Sequence, residues 1–229
     1  MSSLLKNSDL NLHADSGLSL QAYDSKGKNE KTIDSDSLVN LFNDVFLSLH
    51  NTCLVGGGTE PEYRPATIDS TNSIHHRIIF REDYVSSALH EIAHWCIAGQ
   101  SRRQQIDYGY WYVPDGRDRE QQSLFEQVEC KPQALEWIFS LAAGVRFRVS
   151  VDNLDAAIDD ATGDNITQSL LRFKQGVVEQ AQEYCLKGLN ERAERWLAAL
   201  YSFSSGKIVS SDQARLLVMK PEYYCMSSL

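Results

Sequence analysis

The chain has 229 residues, 42% hydrophobic and 23% charged, which suits one globular core plus a tail. Its 22 Lys+Arg against 31 Asp+Glu leave a net charge of −9, which argues against a general nucleic-acid binder. No apolar run is long enough to span a bilayer, and the N-terminus lacks the apolar stretch of a signal peptide. The five cysteines (Cys53, Cys96, Cys130, Cys185 and Cys225) are scattered and form no CxxC, so free thiols in a reducing, cytoplasmic compartment are expected.

Residues 1–36 are polar and weakly patterned and read as a flexible tail. An amphipathic helix is predicted over 37–49, where Leu38, Leu41, Phe42, Val45, Phe46 and Leu49 recur at helical spacing. Residues 52–55 read as a strand, Gly56 to Gly58 as a turn and 63–68 as a second extended piece. A short apolar strand at 77–81 leads into a helix over 86–99, with Asp83 or Ser86 as cap and Gly99 as stop. The polar stretch 100–105 is followed by an aromatic-rich segment, 106–113, expected to be extended, and by a loop at 114–118. The aromatic cluster suits core packing and a substrate wall equally well. Residues 120–144 read as a helix that Pro132 should kink or divide, and 146–151 as a short strand. An acidic loop at 155–164, helices at 169–186 and 190–203 and a short helix at 211–218 complete the pattern, without internal repeats. The expected architecture is a helix-rich single α+β domain with a small sheet, comprising a tail at 1–36, a domain at 37–205 and an unassigned C-terminal segment at 206–229.

The 86–99 helix carries the chemistry. His90-Glu91-Ile92-Ala93-His94 is an HExxH motif. Two imidazoles four residues apart lie roughly 40° apart around a helix and can reach one ion. Glu91 projects toward the same side and can act on what that ion binds. Val85, Leu89, Ile92, Trp95, Cys96 and Ile97 make the helix apolar almost all round, so it should be buried, as in zincins. Buried histidines are costly unless something satisfies them.

Two histidines leave a metal open, and a carboxylate is expected from a later helix. Glu126 and Glu129 are the candidates, and three residues apart they cannot both face one ion equally. Glu129 is favoured because the chain turns apolar there and Gln133, one turn on, could hydrogen-bond a ligand. Zinc peptidases of the gluzincin type are similar in placing a glutamate ligand on a following helix. His75 and His76, just before the 77–81 strand, could supply another ligand but read more readily as a solvent-facing loop pair, and His13 and His50 carry no constellation. Arg102, Arg103, Arg117 and Arg119 make this region locally basic, as solvated charge or a docking face for an acidic partner.

Four blocks in this order resemble the bacterial elongation factor P hydroxylases: HEIAHWCIAG at 90–99, DYGYWY at 107–112, PDGRD at 114–118 and VECKPQALEW at 128–137. The resemblance runs from about residue 38 to the region of residue 200 and is densest between 77 and 154. It implies a non-haem iron monooxygenase that hydroxylates the β-lysylated lysine of elongation factor P, with molecular oxygen as co-substrate. It also implies metal ligation by His90, His94 and Glu129, with Fe(II) as the expected metal and zinc as the other candidate. Glu91 would then be a proton shuttle or hydrogen-bond partner. No direct nucleic-acid contact and no membrane association are expected. HExxH alone favours a different class, a gluzincin-type zinc metallopeptidase with Glu91 as general base. A degenerate site acting as a binding module is a third class, against which the intact His90, Glu91 and His94 count.

Overall fold

The computed structural model describes residues 32–66, 74–109, 119–150 and 163–229. Helix α1 (Ser35–His50) starts where the Asp34 carboxylate accepts the Ser37 amide at 2.7 Å and stops at left-handed Asn51. Leu38, Phe42 and Phe46 are buried along its inner face, whereas Leu49, expected on that face, is 57% exposed and His50 takes the inner position of the last turn, against Phe46 and Trp95.

Strand β1 (Thr52–Gly58) continues through the three glycines where a turn was expected. Its pairing with β3 (His76–Arg81) is parallel and shifts register between Val55 and Gly58. Glycine is needed in this bulge: Gly57 has φ +80°, and a Cβ at Gly58 would lie 2.7 Å from the Ile79 side chain. Short β2 (Glu62–Arg64) pairs antiparallel on the other side of β3, giving the order β1-β3-β2. The extended piece foreseen at 63–68 thus keeps only its start as strand, and residues 67–73 lie outside the described residues.

Helix α2 (Val85–Ile97) follows β3 directly and packs between the sheet and α3 (Arg119–Ala143). Neither expected cap is used: Tyr84 holds the N-cap without a side-chain bond, Ser86 lies inside the helix, and α2 ends at Ala98 before Gly99. Its C-terminal carbonyls are satisfied from distant residues instead. Arg192 Nη2 donates to the carbonyls of Cys96 at 2.9 Å and Ala98 at 2.7 Å. Arg103 Nη1 reaches Ala98 O at 2.6 Å and Asn190 Nδ2 reaches Cys96 O at 2.9 Å. Two guanidinium groups at the negative end of the helix dipole replace the glycine cap. Arg192 also lies 5.1 Å over the Trp95 ring, itself edge-on to Phe42 and Phe46. Arg192→Ala should therefore lower stability by about 1.5–3 kcal/mol in urea unfolding, the range for charge-assisted hydrogen bonds.

Helix α3 runs unbroken through Pro132, so of the kink or division expected there the division does not occur. Proline removes one N–H, and burial of Ala134, Leu135, Ile138 and Phe139 in the turns beyond supports the helix despite that loss. The strand expected at 146–151 is absent among the described residues, 145–150. Ser150 pairs instead with one side chain: Gln133 Nε2 donates to Ser150 O at 2.7 Å, and Ser150 N donates to Gln133 Oε1 at 3.1 Å. With no sheet edge alongside, an amide side chain supplies the pairing. Most of the expected acidic loop lies outside the described residues.

Helices α4 (Gly163–Lys187), α5 (Glu191–Ser205) and α6 (Ser211–Val218) complete the layer around α3. Asn190 caps α5, left-handed Gly206 ends it, and a Ser210/Gln213 capping box starts α6. The C-terminal segment joins the core: Tyr224 is fully buried, with its ring 5.0 Å from Trp137. The whole is a helix-rich α+β arrangement with a three-stranded sheet. All five cysteines are free, and no helix among the described residues is long and apolar enough to cross a membrane.

Candidate metal centre

His90 and His94 stand on successive turns of α2 and face Glu129 from the middle of α3. The two Nε2 atoms are 3.1 Å apart, and each lies 3.3 Å from one Glu129 oxygen. Donors about 2.1 Å from a common ion, at angles between octahedral and tetrahedral, lie roughly 3.0–3.4 Å apart, so the spacing suits a bound metal. Glu126 is directed elsewhere, accepting from Ser169 Oγ of α4 at 3.2 Å. His75 meets Asn51 Oδ1 at 2.5 Å, and His76 Nδ1 accepts from Ala66 N at 2.9 Å, so neither joins the group. His50 stacks edge-on against Trp95, and His13 lies outside the described residues.

Glu136 was not foreseen as part of the site. Its Oε2 lies 2.8 Å from His90 Nδ1, and the residue is buried. Glu136 lies two turns beyond Glu129 on the same face of α3, and that seven-residue spacing was the available signal. Donating Nδ1–H to Glu136, a neutral His90 would present its Nε2 lone pair on the Glu129 side, where a metal would sit. This is the role expected of Gln133, which is occupied by Ser150 instead.

The electrostatics follow from burial and contact. Burial works to lower the His90 imidazole, but Glu129 and Glu136 outweigh it and hold the group well above its ordinary value. Burial works to raise Glu129, yet His94 and His90 keep its carboxyl well below the usual carboxylate range. Glu136 is raised by burial in spite of His90. Glu91 is also raised by burial, with His94 and His90 offsetting part of it. Among the described residues Glu91 makes no hydrogen bond or ion pair.

A short 3-10 turn at Arg102–Gln104 leads into the aromatic segment, whose described start, Ile106–Gly109, is a tight turn where extended chain was expected over 106–113. Asp107, Tyr108 and Gly109 all have positive φ, +47°, +57° and +73°. Left-handed backbone costs about 1–2 kcal/mol at each non-glycine residue. The Asp107 carboxylate, accepting the Tyr63 amide at 2.8 Å, helps hold the turn. Tyr108 is thereby set parallel to Tyr63 at 4.3 Å and to His94 at 6.4 Å between ring centroids. The remaining aromatics, Tyr110 to Tyr112, lie outside the described residues, as does Arg117.

A cleft of about 540 Å³ reaches His94 between the end of α2 and the middle of α3, with Gln127, Val128 and Pro132 on one wall. Arg102 and Lys131 border it, whereas Arg103 turns inward to cap α2.

A family model described as elongation factor P hydroxylase matches residues 41–214. The chain is also 48% identical over 170 residues to the elongation factor P lysine hydroxylase of Haemophilus influenzae, covering 74% of this chain and 89% of that relative. His90, Glu91, His94, Glu129 and Glu136 all fall within the matched segment. Both matches name a hydroxylase, and the gluzincin-type peptidase reading has no support from them. This chain belongs to the elongation factor P hydroxylase family.

Proposed function

We propose that this chain hydroxylates the β-lysylated lysine of elongation factor P at a metal held by His90, His94 and Glu129, with Glu91 moving protons beside it. The observation that carries the site is the convergence of three donor atoms on a face where Glu136 also orients His90. Two imidazoles and a carboxylate suit iron(II) and zinc alike. A hydroxylase with oxygen as co-substrate needs a redox-active ion, so iron(II) is the proposed cofactor. Bound there, iron supplies the oxygen activation that no side chain of the site can supply. Two histidines on one helix, a small sheet beside it and a carboxylate from the next helix support reading the site as zincin-like. The proposed catalytic unit is 37–205, flanked by the tail at 1–36 and a C-terminal segment at 206–229. The reaction belongs in the cytoplasm, with elongation factor P as protein partner and no direct nucleic-acid contact.

The chain's own residues have separate tasks. His90 must release the proton that Glu129 and Glu136 favour before its Nε2 can ligate. Glu91, raised by burial, takes up a proton at its carboxylate oxygens more readily than a solvated glutamate does. The cleft beside His94 admits a side chain, and contacts with the protein partner away from the lysine hold it in place.

Incubation with β-lysylated elongation factor P, Fe(II), a reductant and air should give an intact substrate heavier by one oxygen. An unchanged mass would overturn the reading. For the ligands, Glu129→Ala should lose at least tenfold more metal affinity than Glu126→Ala, and the reverse order would move the ligand to Glu126.

A further inference from the structure

We propose that Arg102 and Lys131, one on each wall of the cleft that reaches His94, form a selectivity rim. They admit the cationic β-lysylated lysine when carboxylates of the protein substrate flank it and repel it otherwise. The proposal deepens the reading above and rests on elongation factor P being the partner. Arg102 comes from the turn after α2 and Lys131 from the middle of α3, and both are exposed. Apart from His94 they are the charged residues of the cleft lining, and no carboxylate joins them among the described residues. In a chain with 31 Asp+Glu against 22 Lys+Arg, a cleft bordered by cations alone runs against the overall balance.

The neighbouring charges are committed elsewhere. Arg103 is withdrawn from the rim, its Nη1 donating to Ala98 O at 2.6 Å. Glu126 accepts from Ser169 Oγ at 3.2 Å, Glu129 faces both histidines, and Glu183 of α4 pairs with Lys187. The helical neighbours of Lys131 at three and four residues, Gln127, Val128, Ala134 and Leu135, carry no charge. Lys131 itself makes no hydrogen bond or ion pair among the described residues. The β-lysyl group carries free amino groups, positive near neutral pH. Cations at the cleft mouth repel such a group, and a partner that brings its own carboxylates turns the repulsion into attraction. Charged rims discriminate in this way, by penalising the wrong partner. Single cations on facing walls suit separate carboxylates on a protein surface, whereas one phosphate takes convergent donors.

The test compares the native chain with Arg102→Glu/Lys131→Glu, and with Lys207→Glu as an exposed control beyond α5. Binding of fluorescently labelled β-lysylated elongation factor P to metal-free protein should weaken about tenfold or more in the double variant at low salt. Lys207→Glu should bind as the native chain does. Most of the difference should vanish near 1 M salt, where the screening length falls to about 3 Å. Loaded with iron, the double variant should show a raised KM, with kcat and one metal per chain retained. Two peptides carrying the β-lysylated lysine, one flanked by Glu and one by Gln, read the selectivity. The native chain should prefer the Glu-flanked peptide and the double variant the Gln-flanked one. If the double variant does not fold, Arg102→Gln/Lys131→Gln should show a smaller loss in the same direction. A folded rim variant that binds like the native chain overturns the proposal, as does an equal loss in Lys207→Glu. Native protein that binds the two peptides alike, or neither, also overturns it. The reading above fails separately, as native protein that binds elongation factor P through the rim yet adds no oxygen. Native protein without measurable affinity for elongation factor P overturns both.

Discussion

Replacing His90 or His94 by alanine should strip the metal and reduce hydroxylation to background. Residues that merely orient a ligand contribute about 10–100-fold to metal affinity. A direct ligand contributes more, so at least a hundredfold loss is expected for either variant in a metal titration. The two variants should differ in stability. His90 stands between Glu129 and Glu136, both buried, and its removal leaves His94 beside Glu129 and takes from Glu136 the partner it contacts. Glu136, raised by burial, is then the carboxyl suited to hold a proton. A carboxyl whose folded value lies above 4.5 stabilises the protein at low pH, and that contribution is lost as pH rises through the folded value. His90→Ala should thus weaken with increasing pH in urea unfolding, and His94→Ala should do so less. If both keep a full metal complement, the ligand set is wrong.

How much of this was legible in the sequence depended on the range of the interaction. Helical period marked α1 through Leu38, Phe42 and Phe46, and HExxH placed two imidazoles on one face of α2, because both are rules about neighbours three and four residues apart. Glu129 lies beside His90 and His94, whereas Glu126 meets Ser169. What the reading missed is long-range. Arg192 caps α2 from 94–97 residues away, and Gln133 engages Ser150 across a turn that resembled a strand from its alternating Phe147 and Val149. Glu136 was readable in principle, two turns past Glu129, but a single polar residue looked more useful one turn away. The left-handed Asp107 and Tyr108 could not be foreseen, since aromatic runs favour extended chain and only the pairing with Tyr63 overrides that preference.

Zinc should occupy the same site as iron and silence it. The donors do not discriminate: nitrogen and oxygen atoms 3.1–3.3 Å apart suit either ion. Divalent affinity for such a set generally rises from iron to zinc, so about one equivalent of zinc should displace iron(II). Zinc has no redox chemistry to offer, and the protein then keeps its fold, one ion per chain and its grip on elongation factor P while adding no oxygen. Mass spectrometry of elongation factor P after incubation with zinc-loaded and iron-loaded protein reads this directly. Activity should return when zinc is removed by chelation and iron(II) is restored without oxygen present. A zinc-loaded preparation that adds oxygen at the iron rate would overturn the redox assignment. A zinc-loaded preparation that no longer binds elongation factor P would show that the ion shapes the docking surface as well as the chemistry. The two outcomes separate because His90, His94 and Glu129 lie at the junction of α2 and α3, behind the cleft bordered by Arg102 and Lys131.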